Sequence, residues 1–345
     1  MTALPLSART TLRVGGTPRA EAVVESLADC DRLLPDVIAA GTPWSVIGAG
    51  SNIVAADGPL DMTVVLMRSH NIDAVEDDAS VVLTVDAGAQ WDDLVELAVN
   101  CNWSGIEALS GIPGSVGATP IQNVGAYGAQ VADVITEVEV FDTATSSRRW
   151  LSAPQCGFGY RSSIFKATPG VFVVTRVRMK LHKSINSRPI RYQQLADALG
   201  IAITGTAPLA EVRTAALALR RSKGMVLDPT DHDTWSVGSY FTNPVVDRNS
   251  LAVSSLEDNA PAWEQPDGRI KLSAAWLIEA AGFPRGYQPA GSAVAISTKH
   301  SLALTNRGGG TATQVRELER TILYGVYEKF AVALEREPML LGFPD

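Results

Sequence analysis

The sequence predicts an α+β protein of two or three packed domains, each with its own core, and three observations carry that reading. The 345 residues are 46% hydrophobic and 19% charged, which supplies apolar surface for several cores and excludes a disordered or fibrous chain. The opening part reads as short β-α-β pieces, followed by stretches of period-two alternation that mark antiparallel strands. A long helical pattern with its own start signal is reserved for the C-terminal part.

In chain order, residues 21–25 read as a short strand, and Ser26 opens a helix with Asp29 at the third helical position. Gly41 closes that helix before the apolar run Trp44–Ile47. A second unit begins at residues 63–67 and continues through a strand at 81–85. It then enters a helix whose apolar face is Trp91, Leu94, Val95 and Ala98. Residues 134–141 and 173–181 alternate; Val173, Thr175, Val177, Met179 and Leu181 oppose Val174, Arg176, Arg178 and Lys180, so half-exposed antiparallel strands are expected. Helical spacing over 209–221 precedes a loop rich in Asp, Pro and Thr that opens a third region. Thr311 with Gln314 forms a capping-box pattern ahead of Val315, Leu318, Ile322, Leu323 and Val326 on one helical face. No internal repeat recurs at a fixed period.

An excess of 37 Asp and Glu over 29 Lys and Arg argues against a nucleic-acid binder, which needs a basic face to displace counterions from phosphate. Cys30, Cys101 and Cys156 stand apart, with no Cys-x-x-Cys or Cys/His pairing, so neither a disulfide framework nor a zinc site is expected. The opening residues lack an apolar signal core, and no stretch approaches the roughly 20 consecutive apolar residues of a membrane span. The expectation is a cytoplasmic protein without a membrane partner.

Five segments carry candidate chemistry. Gly48-Ala49-Gly50-Ser51-Asn52 follows an apolar strand, where glycines let backbone N–H groups approach an anion and Ser and Asn add donors. A tight structural turn explains it equally well, and it is not the dinucleotide fingerprint, because Ile53 occupies the third glycine position. Residues 111–128, GIPGSVGATPIQNVGAYG, place five glycines and two prolines in eighteen residues. That punctuation suits neither helix nor strand, and its apolar residues favour a ligand-wrapping loop over a disordered one. In Tyr160-Arg161-Ser162-Ser163-Ile164-Phe165-Lys166, Arg161 could clamp a carboxylate or simply join a surface ion pair. Ser239, in Gly238-Ser239-Tyr240-Phe241-Thr242-Asn243-Pro244, sits in a turn where a serine is ordinarily structural. Leu334-Glu335-Arg336-Glu337-Pro338 offers carboxylates that, taken alone, read as a solvated cluster.

Taken in order, these segments, together with KLSAAWLIEAAG at 271–282, resemble the UDP-N-acetylenolpyruvoylglucosamine reductase (UDP-N-acetylmuramate dehydrogenase) family across almost the whole chain. The resemblance implies a two-subdomain FAD-binding fold of the vanillyl-alcohol-oxidase type plus a C-terminal α+β substrate domain. The corresponding boundaries are FAD-binding subdomains at 1–68 and 69–212, a substrate domain at 213–330, and a tail at 331–345 that returns to the active site. By the same likeness, Gly48, Ala49, Gly50, Ser51 and Asn52 cradle the FAD pyrophosphate. The wrapping loop contributes Ile112, Pro113, Gly114, Ser115, Gly117, Ala118, Thr119, Gln122, Asn123, Gly125, Ala126 and Tyr127.

The implied reaction passes hydride from NADPH to FAD and on to the vinyl carbon of UDP-N-acetylglucosamine enolpyruvate, leaving the lactyl ether. Negative charge then spreads over the adjacent carbon and carboxylate, so the site needs donors for that charge and an acid for the carbon. Ser239 matches the family's proton donor, and Arg161 and Glu337 match the groups that bind and polarise the substrate carboxylate. Glu337 facing a carboxylate should be protonated or share a proton, since like charges raise a carboxyl pKa. Tyr192 matches the substrate-loop tyrosine of one subclass, Lys223 a phosphate- or nucleotide-contacting lysine, Asn243 a substrate-contacting asparagine, and Tyr160 an orienting aromatic. His300 lies in a looser match and is assigned to the substrate. The residues before Ser239, Trp235-Ser236-Val237, depart from the small or polar ones usual there.

Two other readings are weighed. A flavoprotein oxidase or dehydrogenase of the wider fold group, acting on an alcohol, often carries covalent flavin on His or Cys. Here His70 alone precedes His182 and neither glycine loop holds a histidine, so a dissociable cofactor is expected. A catalytically dead binding module for UDP-sugar or flavin would not need Arg161, Ser239 and Glu337 together. A monomer is expected.

Overall fold

The computed structural model describes residues 3–250, 253, 256 and 260–344. The chain packs as two compact units that interleave along the sequence: the first holds Pro18–Gly50 and Asp61–Val226, the second Leu4–Thr17, Ser51–Leu60 and Leu227–Asp345.

In the first unit, a three-stranded sheet runs in the order Thr17–Val24, Pro59–Met67, Trp44–Ile47. Trp44–Ile47 lies parallel to its neighbour, with Trp44 opposite Thr63 and Ile47 opposite Leu66. Helix α1 (Leu27–Ala39) connects the two outer strands, Thr17–Val24 and Trp44–Ile47. Its start is the one the sequence encodes: the Ser26 hydroxyl accepts from the Asp29 N–H, and the Asp29 carboxylate accepts from the Ser26 hydroxyl and the Glu25 N–H. Cys30 and Leu34 on its inner face are fully buried.

A larger antiparallel sheet follows, ordered Ser147–Ser152, Ile135–Asp142, Phe172–Lys183, Ser80–Asp86, Ile72–Glu76. The two alternating stretches are neighbours, with Val138 opposite Val177. From Arg176 onward the second alternates as expected, burying Val177, Met179 and Leu181. The first departs from half-exposure, because Glu139 and Asp142 are buried along with the apolar residues of Ile135–Asp142. A carboxylate can be buried when it is paired, and Glu139 is held at 2.7 and 2.9 Å by Arg176, at 2.9 Å by the Thr175 hydroxyl and at 3.3 Å by Arg148. Burial alone would raise the Glu139 pKa, but the Arg176 and Thr175 hydrogen bonds outweigh it and leave the carboxyl below its ordinary value.

Helix α2 (Trp91–Asn100) buries Trp91, Leu94, Val95, Ala98 and Val99; each large apolar side chain taken fully out of water contributes about 1.5–3 kcal/mol. The short α3 (Ile164–Ala167) follows. Helices α4 (Gln193–Leu199) and α5 (Leu209–Ser222) share a smaller core of Leu195, Ala196, Val212 and Ala216.

The second unit packs α6 (Ala274–Ala280) and α7 (Ala312–Phe330) around a core that includes Tyr240, Phe241, Leu277, Ile278, Leu318 and Ile322. The α7 capping box forms as read, with Thr311 and Gln314 exchanging hydrogen bonds. Asp57 adds a second cap, accepting from the Ala312 and Thr313 N–H groups at 2.9 Å each, so more of the helix's opening donors are satisfied. Met339–Leu341 lies parallel to Ile53–Ala55, bringing the end of the chain beside the residues that follow the Gly48–Asn52 motif.

Candidate active site

In the first unit, the strand Trp44–Ile47 runs straight into Gly48, where a Cβ would stand 2.1 Å from Ser115 Oγ. The turn and the long loop are therefore in direct contact, with no room between them for a side chain. Arg68 donates to the Gly48 carbonyl at 2.8 Å, which adds a cation beside the turn. The loop is itself paired to the segment before α2: Val116 and Gly117 N–H donate to the Ala89 and Ala87 carbonyls at 2.8 and 2.9 Å, and Trp91 N–H donates to the Gly114 carbonyl at 3.0 Å. A Cβ on Gly117 would lie 2.4 Å from Ala87 Cβ and 2.8 Å from Ala87 Cα, so the glycine is required by backbone approach.

Both ends of the loop are pinned. Gly111 N–H donates to Asp92 at 2.6 Å, and Asp92 is clamped by Arg213 at 2.7 and 3.0 Å. Burial pushes the Asp92 carboxyl up, but the Arg213 and Gly111 hydrogen bonds bring it below its ordinary value. At the far end, the buried Asn123 donates to Gln130 and to the Gly159 carbonyl, each at 3.0 Å, and accepts from Ala132 N–H at 3.1 Å. Its side chain thus holds the loop in shape. A rigid cradle of close-packed glycines beside a guanidinium suits a diphosphate.

Arg161 adopts a left-handed backbone (φ 51°) and donates to the Gly125 carbonyl at 3.0 Å. Tyr127, on the same loop, is also left-handed (φ 50°). Such conformations cost bulky residues free energy and cluster where a side chain must be aimed. Arg161 is held there by neighbours: Lys166 donates to its carbonyl at 3.2 Å, while Ser163 caps α3 and donates to the Ile121 carbonyl. The exposed Tyr160 ring lies 6.0 Å from the Arg161 guanidinium carbon.

Tyr127 also meets Tyr192 edge to face at 5.7 Å between ring centroids, and Lys223 Nζ stands 6.0 Å from the Tyr127 ring. Lys223 donates to Gln194 at 2.7 Å. Burial, then the Arg220 charge, lowers the Lys223 pKa. Arg220 is the residue that sequence reading passed over. It donates to the Met225 carbonyl at 2.9 Å, its Nε is buried with no hydrogen-bond partner among the described residues, and burial brings its pKa down to about 10. It remains a cation at neutral pH. The available signal was its place three residues before Lys223 in the last turn of α5.

In the second unit, the turn at Gly238 (φ 77°) presents Ser239, whose Oγ lies 3.4 Å from His300 Nε2. The following residues pair with the C-terminal tail. Tyr240 accepts from Glu337 N–H at 2.8 Å, Thr242 N–H donates to the Glu335 carbonyl at 3.0 Å, and Phe241 and Arg336 form an antiparallel bridge. Asn52 joins the same place, accepting from Met339 N–H at 3.0 Å and donating to the Glu337 carbonyl at 3.5 Å. The structure thus gathers Asn52, Ser239, His300 and Glu337. Asn243 spends its amide oxygen on Ala274 N–H at 3.0 Å, at the start of α6.

Residues 18–152 match the model of the FAD binding domain family, and residues 228–341 match that of the UDP-N-acetylenolpyruvoylglucosamine reductase, C-terminal domain. The first match contains both glycine loops; the second contains Ser239, Asn243, His300 and Glu337. The chain is 48% identical to the UDP-N-acetylenolpyruvoylglucosamine reductase of Thermobifida fusca over 98% of this chain and 97% of that one. It is 46% identical to the Salinispora arenicola protein of the same name, over 98% and 94% of the two chains. The crystal structure of the Thermus caldophilus reductase aligns with a TM-score of 0.67 at 26% identity, covering 98% of this chain and 97% of that one. The expected FAD-binding fold with a separate C-terminal domain is therefore the one present, and the chain belongs to the family of UDP-N-acetylenolpyruvoylglucosamine reductases.

Proposed function

We propose that Ser239, Arg161 and Glu337 are the groups through which this chain reduces UDP-N-acetylglucosamine enolpyruvate to UDP-N-acetylmuramate. The chain is an FAD-dependent oxidoreductase of peptidoglycan precursor synthesis, with NADPH as co-substrate. When bound, FAD would supply the hydride chemistry that links NADPH to the vinyl carbon of the enolpyruvyl group. The turn at 48–52 and the loop at 112–127 would hold that cofactor; the close packing of Gly48 on Ser115 and the Arg68 cation beside the turn fit a diphosphate bound by backbone N–H groups.

Hydride arriving at the vinyl carbon leaves an electron pair shared between the neighbouring carbon and its carboxylate. Arg161 stabilises that charge, and a protonated Glu337 donates to the same carboxylate. Ser239 gives its hydroxyl proton to the carbon. The resulting alkoxide must regain a proton, and His300, 3.4 Å away, is a neighbour able to supply it or to relay it from water. Tyr192 and Lys223, with the unpredicted Arg220, form a cationic and aromatic group suited to the UDP diphosphate and base. Tyr160 orients Arg161, and Asn243 contacts substrate through its amide nitrogen.

The observation that carries these roles is the main-chain pairing of the Ser239 turn with the Glu337 tail. A cytoplasmic monomer completes the reading: Cys30, Cys101 and Cys156 are all free thiols, as a reducing compartment favours. No helix among the described residues is long and apolar enough to cross a membrane. The test is an anaerobic visible spectrum of the flavin-loaded protein. NADPH should bleach the flavin band, and UDP-N-acetylglucosamine enolpyruvate should restore it. Ser239→Ala should leave the bleaching rate near the parent's and slow the recovery strongly; equal loss in both steps would remove Ser239 from the role of proton donor.

A further inference from the structure

Glu319 of α7 is 1% exposed, a carboxylate buried in the second unit. One of its oxygens accepts from the Tyr240 hydroxyl at 2.8 Å and from Arg316, and the other accepts from Arg336 at 3.0 Å. Tyr240 directly follows Ser239, and Arg336 directly precedes Glu337. The Tyr240 carbonyl accepts from the Glu337 N–H at 2.8 Å. A closed circuit results, running from the Tyr240 phenol through Glu319 to the Arg336 guanidinium, along the peptide to Glu337 N–H, and back to Tyr240.

We propose that Tyr240, Glu319 and Arg336 form a buried positioning ring that sets the Glu337 carboxyl relative to the Ser239 hydroxyl. The inference rests on the roles assigned to Ser239 and Glu337 above. None of the three ring residues is given a place in the chemistry. Their geometry makes them positioning residues, since each acts through the main chain of a neighbour. A merely structural device would be satisfied more simply by apolar packing, because a buried carboxylate stabilises a fold only weakly once its desolvation is counted. Here the carboxylate ties together the two segments whose relative placement the reaction requires. Its two guanidinium partners and one phenol give it the satisfaction that a buried charge needs.

The test uses Tyr240→Phe, which removes one hydroxyl and leaves Glu319 paired to both arginines, and Arg336→Leu, at a partly exposed position. Both are compared with the parent and with the double variant. In the flavin-loaded protein, bleaching by NADPH should stay within about twofold of the parent. Recovery with the enolpyruvyl substrate should slow about tenfold or more in each single variant, the scale of a small misplacement of reacting groups. The double variant should lose little beyond either single one, because one break opens the ring. In the flavin-free protein, hydrogen exchange at the Glu337 amide should accelerate while the core of α7 keeps its protection. Recovery within about twofold of the parent in both single variants, or equal slowing of both steps, would overturn the proposal. Ser239→Ala run alongside separates the two ideas. Unimpaired recovery there would sink the proton-donor role, whereas the ring stands or falls on the Tyr240 and Arg336 variants.

Discussion

At the scale of single residues, glycine identity is set by what a methyl group would strike. Gly117 faces the Cβ and Cα of Ala87 at 2.4 and 2.8 Å, atoms fixed to backbone that no rotamer change can move. Gly117→Ala should therefore cost about 1–3 kcal/mol of stability, the usual scale of overpacking, and lower the melting temperature of the flavin-free protein. Gly48 differs, because its nearest obstacle is the Ser115 hydroxyl at 2.1 Å, which can rotate. Gly48→Ala should cost less stability and more FAD affinity, read by titration of flavin fluorescence. A larger melting loss in Gly48→Ala than in Gly117→Ala would contradict this ordering. Gly117 was legible from the density of the 111–128 pattern, and Gly48 from the Gly48–Asn52 motif that follows an apolar strand. Their neighbours were not, since nothing in the chain around Ala87 advertises a backbone partner thirty residues on.

At the scale of elements, the sequence spoke clearly wherever the determinant was local. The Ser26 cap of α1, the Thr311 box of α7 and the apolar face of α2 all follow from spacing within one or two turns. Long-range pairing was silent. Glu139 reads as an exposed position of an alternating strand, and Arg148, Arg176 and the Thr175 hydroxyl, brought in from other strands, explain its burial. Asp92 is the same case in a functional setting, since it looks like a first-turn acid of α2 yet pins Gly111 and receives Arg213. Its carboxyl is depressed below the ordinary value, so its contribution is present above about pH 4 and is lost as pH falls through the lowered pKa. Asp92→Asn should accordingly lower the urea midpoint at pH 7, with the deficit shrinking toward acid as the parent's carboxylate is protonated. A deficit that stays constant from neutral to strongly acid pH would show that the charge is irrelevant there.

At the scale of the whole molecule, composition bounded the class, and ordered motifs, not periodicity, pointed to the chemistry. Each unit carries its own core, and the loop proposed to hold FAD anchors to the first through Val116, Ile112, Ile121, Val124 and Ala126, while its glycines add no side chain to that packing. Such segments gain order from a ligand that binds the folded state alone. Neither glycine loop carries a histidine or cysteine, so the flavin should leave without a bond being broken. Acid precipitation should release all of it to the supernatant, and flavin retained on the polypeptide would refute the dissociable reading. The flavin-free protein should melt lower, and added FAD should raise the melting temperature in proportion to the logarithm of its concentration. At a hundredfold excess over Kd the gain is about 2.7 kcal/mol. If the melting temperature ignores FAD while the flavin still binds, the flavin binds the unfolded chain as strongly as the folded one, and the glycine loops at 48–52 and 112–127 are not a cradle that only the fold creates.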